Sequence, residues 1–180
     1  MNRQQALQVL TDWDRKGRHV FTRRELAKLF PRDNTKAFAE GLSRLVRVGL
    51  LVRACRGVYV NPGAHSLDSR VIERIARALR PGAYNYVSLE SLLSESGAIS
   101  QIPLDRLTVM TTGRKGVYET PYGVIEFTHT KRPVADVLNG IRQVEGRPLR
   151  IATPSVAWRD LKRVGRNVQM VDPEAVTDGE

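Results

Sequence analysis

Residues 22–57 read TRRELAKLFPRDNTKAFAEGLSRLVRVGLLVRACRG, and the changes of period inside this stretch decide the fold. It opens on Thr22-Arg23-Arg24-Glu25, a capping box. The Thr22 hydroxyl can take the free amide of Glu25, and the Glu25 carboxylate that of Thr22. Leu26, Leu29 and Phe30 give the helix that follows a buried stripe. Pro31-Arg32-Asp33-Asn34 is turn chemistry, and Asn34 suits the cap of a second helix over about Thr35–Val48, stopped by Gly49. At about 100° per residue, Phe38, Gly41, Leu42, Leu45 and Val46 gather on one side of it. Lys36, Glu40, Ser43, Arg44 and Arg47 gather on the other. After Gly49 the period becomes extended: Leu50–Ala54 and Val58–Val60 flank Cys55-Arg56-Gly57 as a β-hairpin.

Working outward, Ala6, Leu7, Val9, Leu10 and Trp13 recur at helical spacing, so about Asn2–Lys16 form an amphipathic helix that Gly17 ends. His19-Val20-Phe21 is a short β-prone run. Helix, strand, capped helix, turn, amphipathic helix and basic hairpin, in that order, predict a winged helix-turn-helix over residues 1–62. Pro62-Gly63 closes it. The chain has 180 residues and a formal net charge of +10. Residues 1–62 hold thirteen Lys/Arg against five acids, +8, which leaves +2 for residues 63–180. So local an excess attracts a polyanion, and duplex DNA is the usual one. The expected DNA-binding residues are Arg23, Arg24, Thr35, Lys36, Ser43, Arg44 and Arg47 on the helices, with Arg53 and Arg56 on the wing.

Asp68 can cap a helix over about Ser69–Leu79, with Val71, Ile72, Ile75, Ala76 and Leu79 inward. Arg70, Arg74 and Arg77 face outward, either extending the DNA-facing surface or as a solvated face. Ser88–Glu95 reads as a short helix ended by Gly97. Leu107–Thr111, Val117–Glu119 and Val124–Thr128 have period two. With turns at Gly113–Gly116 and Pro121–Gly123 they predict a small antiparallel β-meander. Ile151–Thr153 reads as a strand end and Pro154–Val164 as a helix capped by Thr153. The polar tail from Thr177 is expected to fray. The fold class is α+β: a winged helix-turn-helix (1–62), then a mixed domain (63–180) with a meander flanked by helices.

Composition narrows the function. No stretch approaches the roughly 20 apolar residues of a membrane span, and the first twenty residues carry no signal core; the expected place is the cytoplasm. One cysteine excludes an internal disulfide. Cys55, beside the hairpin turn, is either a thiol sensor or a small residue at a strand end. His19, His65 and His129 have no second His or Cys at ligand spacing, and Gly113-Arg114-Lys115-Gly116 lacks the phosphate-loop pattern. Ser88, Ser91, Ser94, Ser96 and Ser100 have no base nearby in sequence. Asp105, Glu119 and Glu126 are conceivable nuclease carboxylates and otherwise surface acids. We expect no enzyme activity, no metal and no cofactor.

Three segments resemble the AbiEi-type antitoxins of abortive-infection operons. Tyr86-Val87-Ser88-Leu89-Glu90-Ser91-Leu92-Leu93, with Gly97 after it, is similar to the family's V-S-x-x-S-A-L…G helix. Leu107–Thr128 stands where the family places a β-meander with basic residues at its first turn, here Arg114 and Lys115. Ile151–Leu161 is similar to x-A-T-P-E-R-A-L-x-D-L, with Ser155-Val156 replacing Glu-Arg and Trp158 replacing Leu. Asp160 keeps the acidic position, where a helix-surface or capping role is expected. The resemblance implies a repressor that binds inverted repeats in its own promoter, on double-stranded DNA. It also implies a second domain that neutralises a nucleotidyltransferase-like toxin, with or without a stable complex. Arg114, Lys115, Arg159 and Lys162 are the candidates for contact with the toxin or its RNA. Beside that reading, a transcription factor with a ligand-sensing or dimerising second domain and a nucleic-acid-modifying enzyme stay open.

Overall fold

The computed structural model describes residues 1–100 and 105–177; the fraying expected of the tail at 178–180 lies outside them. The chain forms two compact units, Met1–Leu79 and a second from Arg80 onward.

The first unit has helices α1 (Arg3–Asp14), α2 (Arg23–Leu29), α3 (Thr35–Arg47) and α4 (Val71–Leu79). Its strands β1 (Val20–Thr22), β2 (Val52–Cys55) and β3 (Val58–Val60) form an antiparallel sheet in the order β1-β3-β2. Helices α2 and α3 start at the caps the sequence offers, while α1 ends at Asp14, two residues before its expected end. Asn2 caps α1, Thr22 and Glu25 form the capping box of α2, and Asn34 caps α3. The apolar stripes converge in one core of Ala6, Leu10, Phe21, Leu26, Phe30, Phe38, Leu42, Leu45, Leu51 and Tyr59. Leu7, read with the α1 stripe, points outward.

This unit runs past Pro62-Gly63 to Leu79 rather than ending there. The physical reason is a set of polar and apolar ties. The Asp14 carboxylate accepts the amides of His65 and Ser66, each at 2.9 Å. His19 Nδ1 lies 3.0 Å from Ser66 Oγ, and α4 packs on β1 and β3. Pro-Gly marks a turn, but burial and hydrogen bonding decide where a domain ends.

The second unit has helices α5 (Leu89–Glu95), α6 (Val134–Asn139), α7 (Pro154–Val164) and α8 (Glu174–Thr177). Its strands are β4 (Asn85–Val87), β5 (Arg106–Thr111), β6 (Gly116–Thr120), β7 (Gly123–His129), β8 (Ile141–Arg142) and β9 (Arg150–Ala152). They form one mixed six-stranded sheet ordered β6-β7-β5-β4-β9-β8. The class is α+β, as expected, but the three strands are not a meander. β6 and β7 form an antiparallel hairpin, and β7 pairs parallel with β5. β5 is buried from Leu107 to Thr111, so it needs a neighbour on both edges, which β4 and β7 supply. β6 alternates half-buried with exposed residues and takes the sheet edge. Period two identifies strands; it does not say which pair.

Candidate nucleic-acid interface

The candidate surface draws on three chain segments that meet at the start of α2. Thr22 N donates to Glu25 Oε2 at 2.7 Å, and Glu25 N donates to Thr22 Oγ1 at 3.2 Å. Arg18 pairs with Glu25 Oε1 at 2.5 Å while its guanidinium stacks over the Trp13 and Phe21 rings. Burial opposes the Glu25 charge, yet the Thr22 and Arg18 contacts hold its pKa below the usual value. α2 therefore starts at a fixed place.

From that start Arg23 reaches the other two segments. Its amide donates to Gly57 O at 2.8 Å, tying α2 to the hairpin turn. Its guanidinium lies 5.9 Å from the Phe38 ring centroid, over the buried side of α3. Arg24, next along, is exposed.

α3 divides as the spacing predicts. Phe38, Gly41, Leu42 and Leu45 are buried, while Thr35, Lys36, Glu40, Ser43, Arg44 and Arg47 are exposed. Ala37 N donates to Asn34 Oδ1 at 2.9 Å, and Arg44 and Arg47 occupy the last turn, where cations suit the helix dipole.

The hairpin turns tightly at Arg56-Gly57, with Cys55 opposite Val58. Gly57 has φ 84, a conformation that costs a residue with a Cβ. The register shifts between Arg53 and Cys55, and both Arg53 and Arg56 point to solvent. Burial pushes the Cys55 thiol up despite Arg53 beside it, which favours the packing reading over a reactive thiolate.

Thus Arg23, Arg24 and Arg56 cluster where α2 meets the wing. Lys36, Ser43, Arg44 and Arg47 share one free helix face, and Arg53 stands further back on β2. Two of the arginines read as outward near α4 are paired: Arg70, just before the helix, bonds Glu73 at 2.9 Å, and Arg74 on α4 bonds Asp68 at 3.0 Å. Sequence reading missed Arg18, because its partners Trp13 and Glu25 stand at no diagnostic spacing.

Residues 8–62 match the AbiEi antitoxin family of transcriptional regulators. The AbiEi-type segment thus covers the capping box, α3 and the wing, where the charge is. No curated protein matches the sequence. A crystal structure of the RV2827C protein from Mycobacterium tuberculosis is similar in fold, with 16% identity and a TM-score of 0.60. The similarity covers 88% of this chain and 60% of that one, so the chain spans well under the whole of its structural neighbour.

Outside the AbiEi-type segment, Arg114 and Lys115 are exposed in the Thr112–Lys115 connection, and Arg159 and Lys162 on α7. The first pair is braced by Arg80 Nε donating to Arg114 O at 3.0 Å and by His129 Nδ1, 2.7 Å from Gly113 O. Arg163 Nη2 donates to His129 O at 3.4 Å, so α7 reaches the same strand end. Lys162 lies instead over the Trp158 ring, 5.1 Å from its centroid.

Asp160 departs from expectation. It is not on the helix surface but fully buried, accepting from Tyr86 Oη at 3.2 Å and Ser88 Oγ at 3.0 Å. Arg132 Nε stands 4.0 Å from its other oxygen. Burial, with the Asp160 charge added, pushes the Tyr86 phenol up. The matching positions of the two sequence segments therefore meet in one core contact. Of the candidate nuclease acids, Glu126 is held by Arg166 and by Arg106 Nη1 at 2.7 Å, while Asp105 and Glu119 are exposed. Among the described residues no three His, Cys, Asp or Glu side chains come together to hold a metal. Nor is any described helix long and apolar enough to cross a membrane.

Proposed function

We propose that this protein is a DNA-binding antitoxin that represses its own promoter through the first unit and neutralises a cognate toxin through the second. The observation that carries the DNA half is the division of α3. Its inner face is locked into the core, and its outer face offers Lys36, Ser43, Arg44 and Arg47 free to solvent. A recognition helix needs that division to enter the major groove. Arg23 and Arg24 at the α2 start, with Arg53 and Arg56 on the wing, suit phosphates or the minor groove. The toxin half rests on the family likeness. Arg114, Lys115, Arg159 and Lys162, exposed cations of the second unit, are its candidate contacts with the toxin or the toxin's RNA.

The test has two arms. In a gel-shift titration, Lys36 and Arg47 replaced together by Ala should weaken promoter binding by about 1–3 kcal/mol per lost bidentate base contact. Thermal stability should barely move, since both side chains face solvent. In the second arm the chain is co-expressed with the adjacent gene and growth is scored. Unchanged promoter affinity sinks the helix assignment, and no growth rescue sinks the antitoxin role.

A further inference from the structure

The exposed face of α3 holds one acid among its cations. Glu40 has Lys36 four residues before it and Arg44 four residues after, the spacing at which Glu ordinarily pairs with Lys or Arg on a helix. Yet among the described residues none makes a hydrogen bond or ion pair with the Glu40 side chain. At about 100° per residue, Glu40 lies within roughly 30° of the direction opposite the buried Phe38–Gly41–Leu42–Leu45 stripe, and near the middle of the helix. A side chain at that centre is aimed at whatever the helix approaches. Arg23, Arg24 and Arg56, exposed where α2 meets the wing, are the proposed phosphate contacts.

A carboxylate at such a place weakens attraction to every phosphate, so it does not serve general affinity. It is an acceptor only. The donors exposed in the major groove are the exocyclic amino groups of cytosine and adenine, and carboxylates suit cytosine N4. We propose that Glu40 is the specificity-determining residue of this surface. It accepts a hydrogen bond from a cytosine amino group in the major groove and repels duplexes that offer no such donor there. This rests on α3 being the recognition helix, as proposed above.

The experiment is selection of binding sites from a randomised duplex library by the full chain, carried out with the unsubstituted protein, Glu40→Gln and Glu40→Ala. The unsubstituted protein should select a C·G pair at one position of each half-site. Glu40→Gln should move that position to adenine, because a glutamine amide pairs with adenine N6 and N7. Glu40→Ala should leave it unselected, with discrimination there falling about ten-fold while binding to an unrelated duplex tightens. The same consensus for all three proteins overturns the proposal. So does a Glu40→Ala variant that loses affinity equally for every sequence. If the unsubstituted protein selects no duplex, the recognition-helix reading itself falls and takes the proposal with it.

Discussion

His19 is the residue most exposed to a change of protonation. It is fully buried just before β1, with Nδ1 3.0 Å from Ser66 Oγ and no partner at Nε2 among the described residues. The Ser66 hydroxyl and the Ser66 and His65 amides hold the Asp14 carboxyl at about 2. If the Ser66 proton serves Asp14, His19 keeps its own on Nδ1 and presents a bare lone pair at Nε2. Burial lowers the His19 pKa, and Arg74 adds to this against the smaller pull of Asp68 and Asp14. The unfolded chain therefore binds a proton, near pH 6.5, before the folded one does. His19 contributes stability that is full above about pH 6.5 and lost as pH falls below it. Urea midpoints at pH 7.5 and 5.5 should differ in the unsubstituted protein and converge in His19→Asn; equal midpoints in the unsubstituted protein sink this account. Asp160 is the second case. Asp160→Ala leaves the hydroxyls of Tyr86 and Ser88 without their acceptor and removes the buried charge that stands 4.0 Å from Arg132 Nε. It should destabilise the protein by about 3 kcal/mol in urea denaturation. A loss within ~0.5 kcal/mol, the size of a surface change, would show that the contact is not a core tie.

Among the elements, the wing and the start of α2 behave as one piece, because Arg23 N bonds Gly57 O across them. Arg56 sits at the turn and points outward. A phosphate contact from such a place positions the protein and reads little sequence. Arg56→Ala should lower affinity for operator and random duplex alike, and reduce the slope of log K against log salt by about one. A variant that loses operator preference at an unchanged salt slope speaks against the phosphate role. In the second unit the sheet explains why motif reading reached the strands but not their order. Thr112–Lys115 carries the chain from β5 past β7 to the edge strand β6, a path no local pattern records. Leu89 shows the same limit. It opens α5 at φ 57 with its side chain fully buried, a backbone state that costs a non-glycine roughly 1–2 kcal/mol and is held by the packing around it.

Across the whole molecule, charge and cohesion follow the two units rather than the Pro62-Gly63 turn. Met1–Leu79 holds sixteen Lys/Arg and seven acids, +9, and the rest of the chain +1. DNA affinity and its salt dependence should thus reside almost wholly in the first unit. Residues 1–79 expressed alone should keep most of the promoter binding of the full chain. Residues 1–62 lack Ser66 against His19 and α4 against β1 and β3, so they should melt at lower temperature and bind more weakly. Equal melting temperatures for the two fragments would show that α4 adds nothing to the fold. In a toxin challenge at matched expression, rescue by residues 1–79 would move the proposed neutralising activity out of the second unit.

The sequence by itself determined what is local. The caps at Thr22 and Asn34, the two faces of α3 and the glycine turn of the wing follow from spacing within a few residues, and the concentration of basic residues from composition. They sufficed to identify the winged helix and its candidate DNA surface. Only the tertiary structure decided what depends on distant pairing. It placed β7 between β5 and β6, because β7 is buried through Ile125–Phe127 and suits the sheet interior, while β6, half-buried and exposed by turns, suits the edge. It buried Asp160 against Tyr86 and Ser88, more than seventy residues away in the chain. It carried the first unit on to Leu79, because a unit ends where burial and hydrogen bonds end, and neither is written at the turn itself.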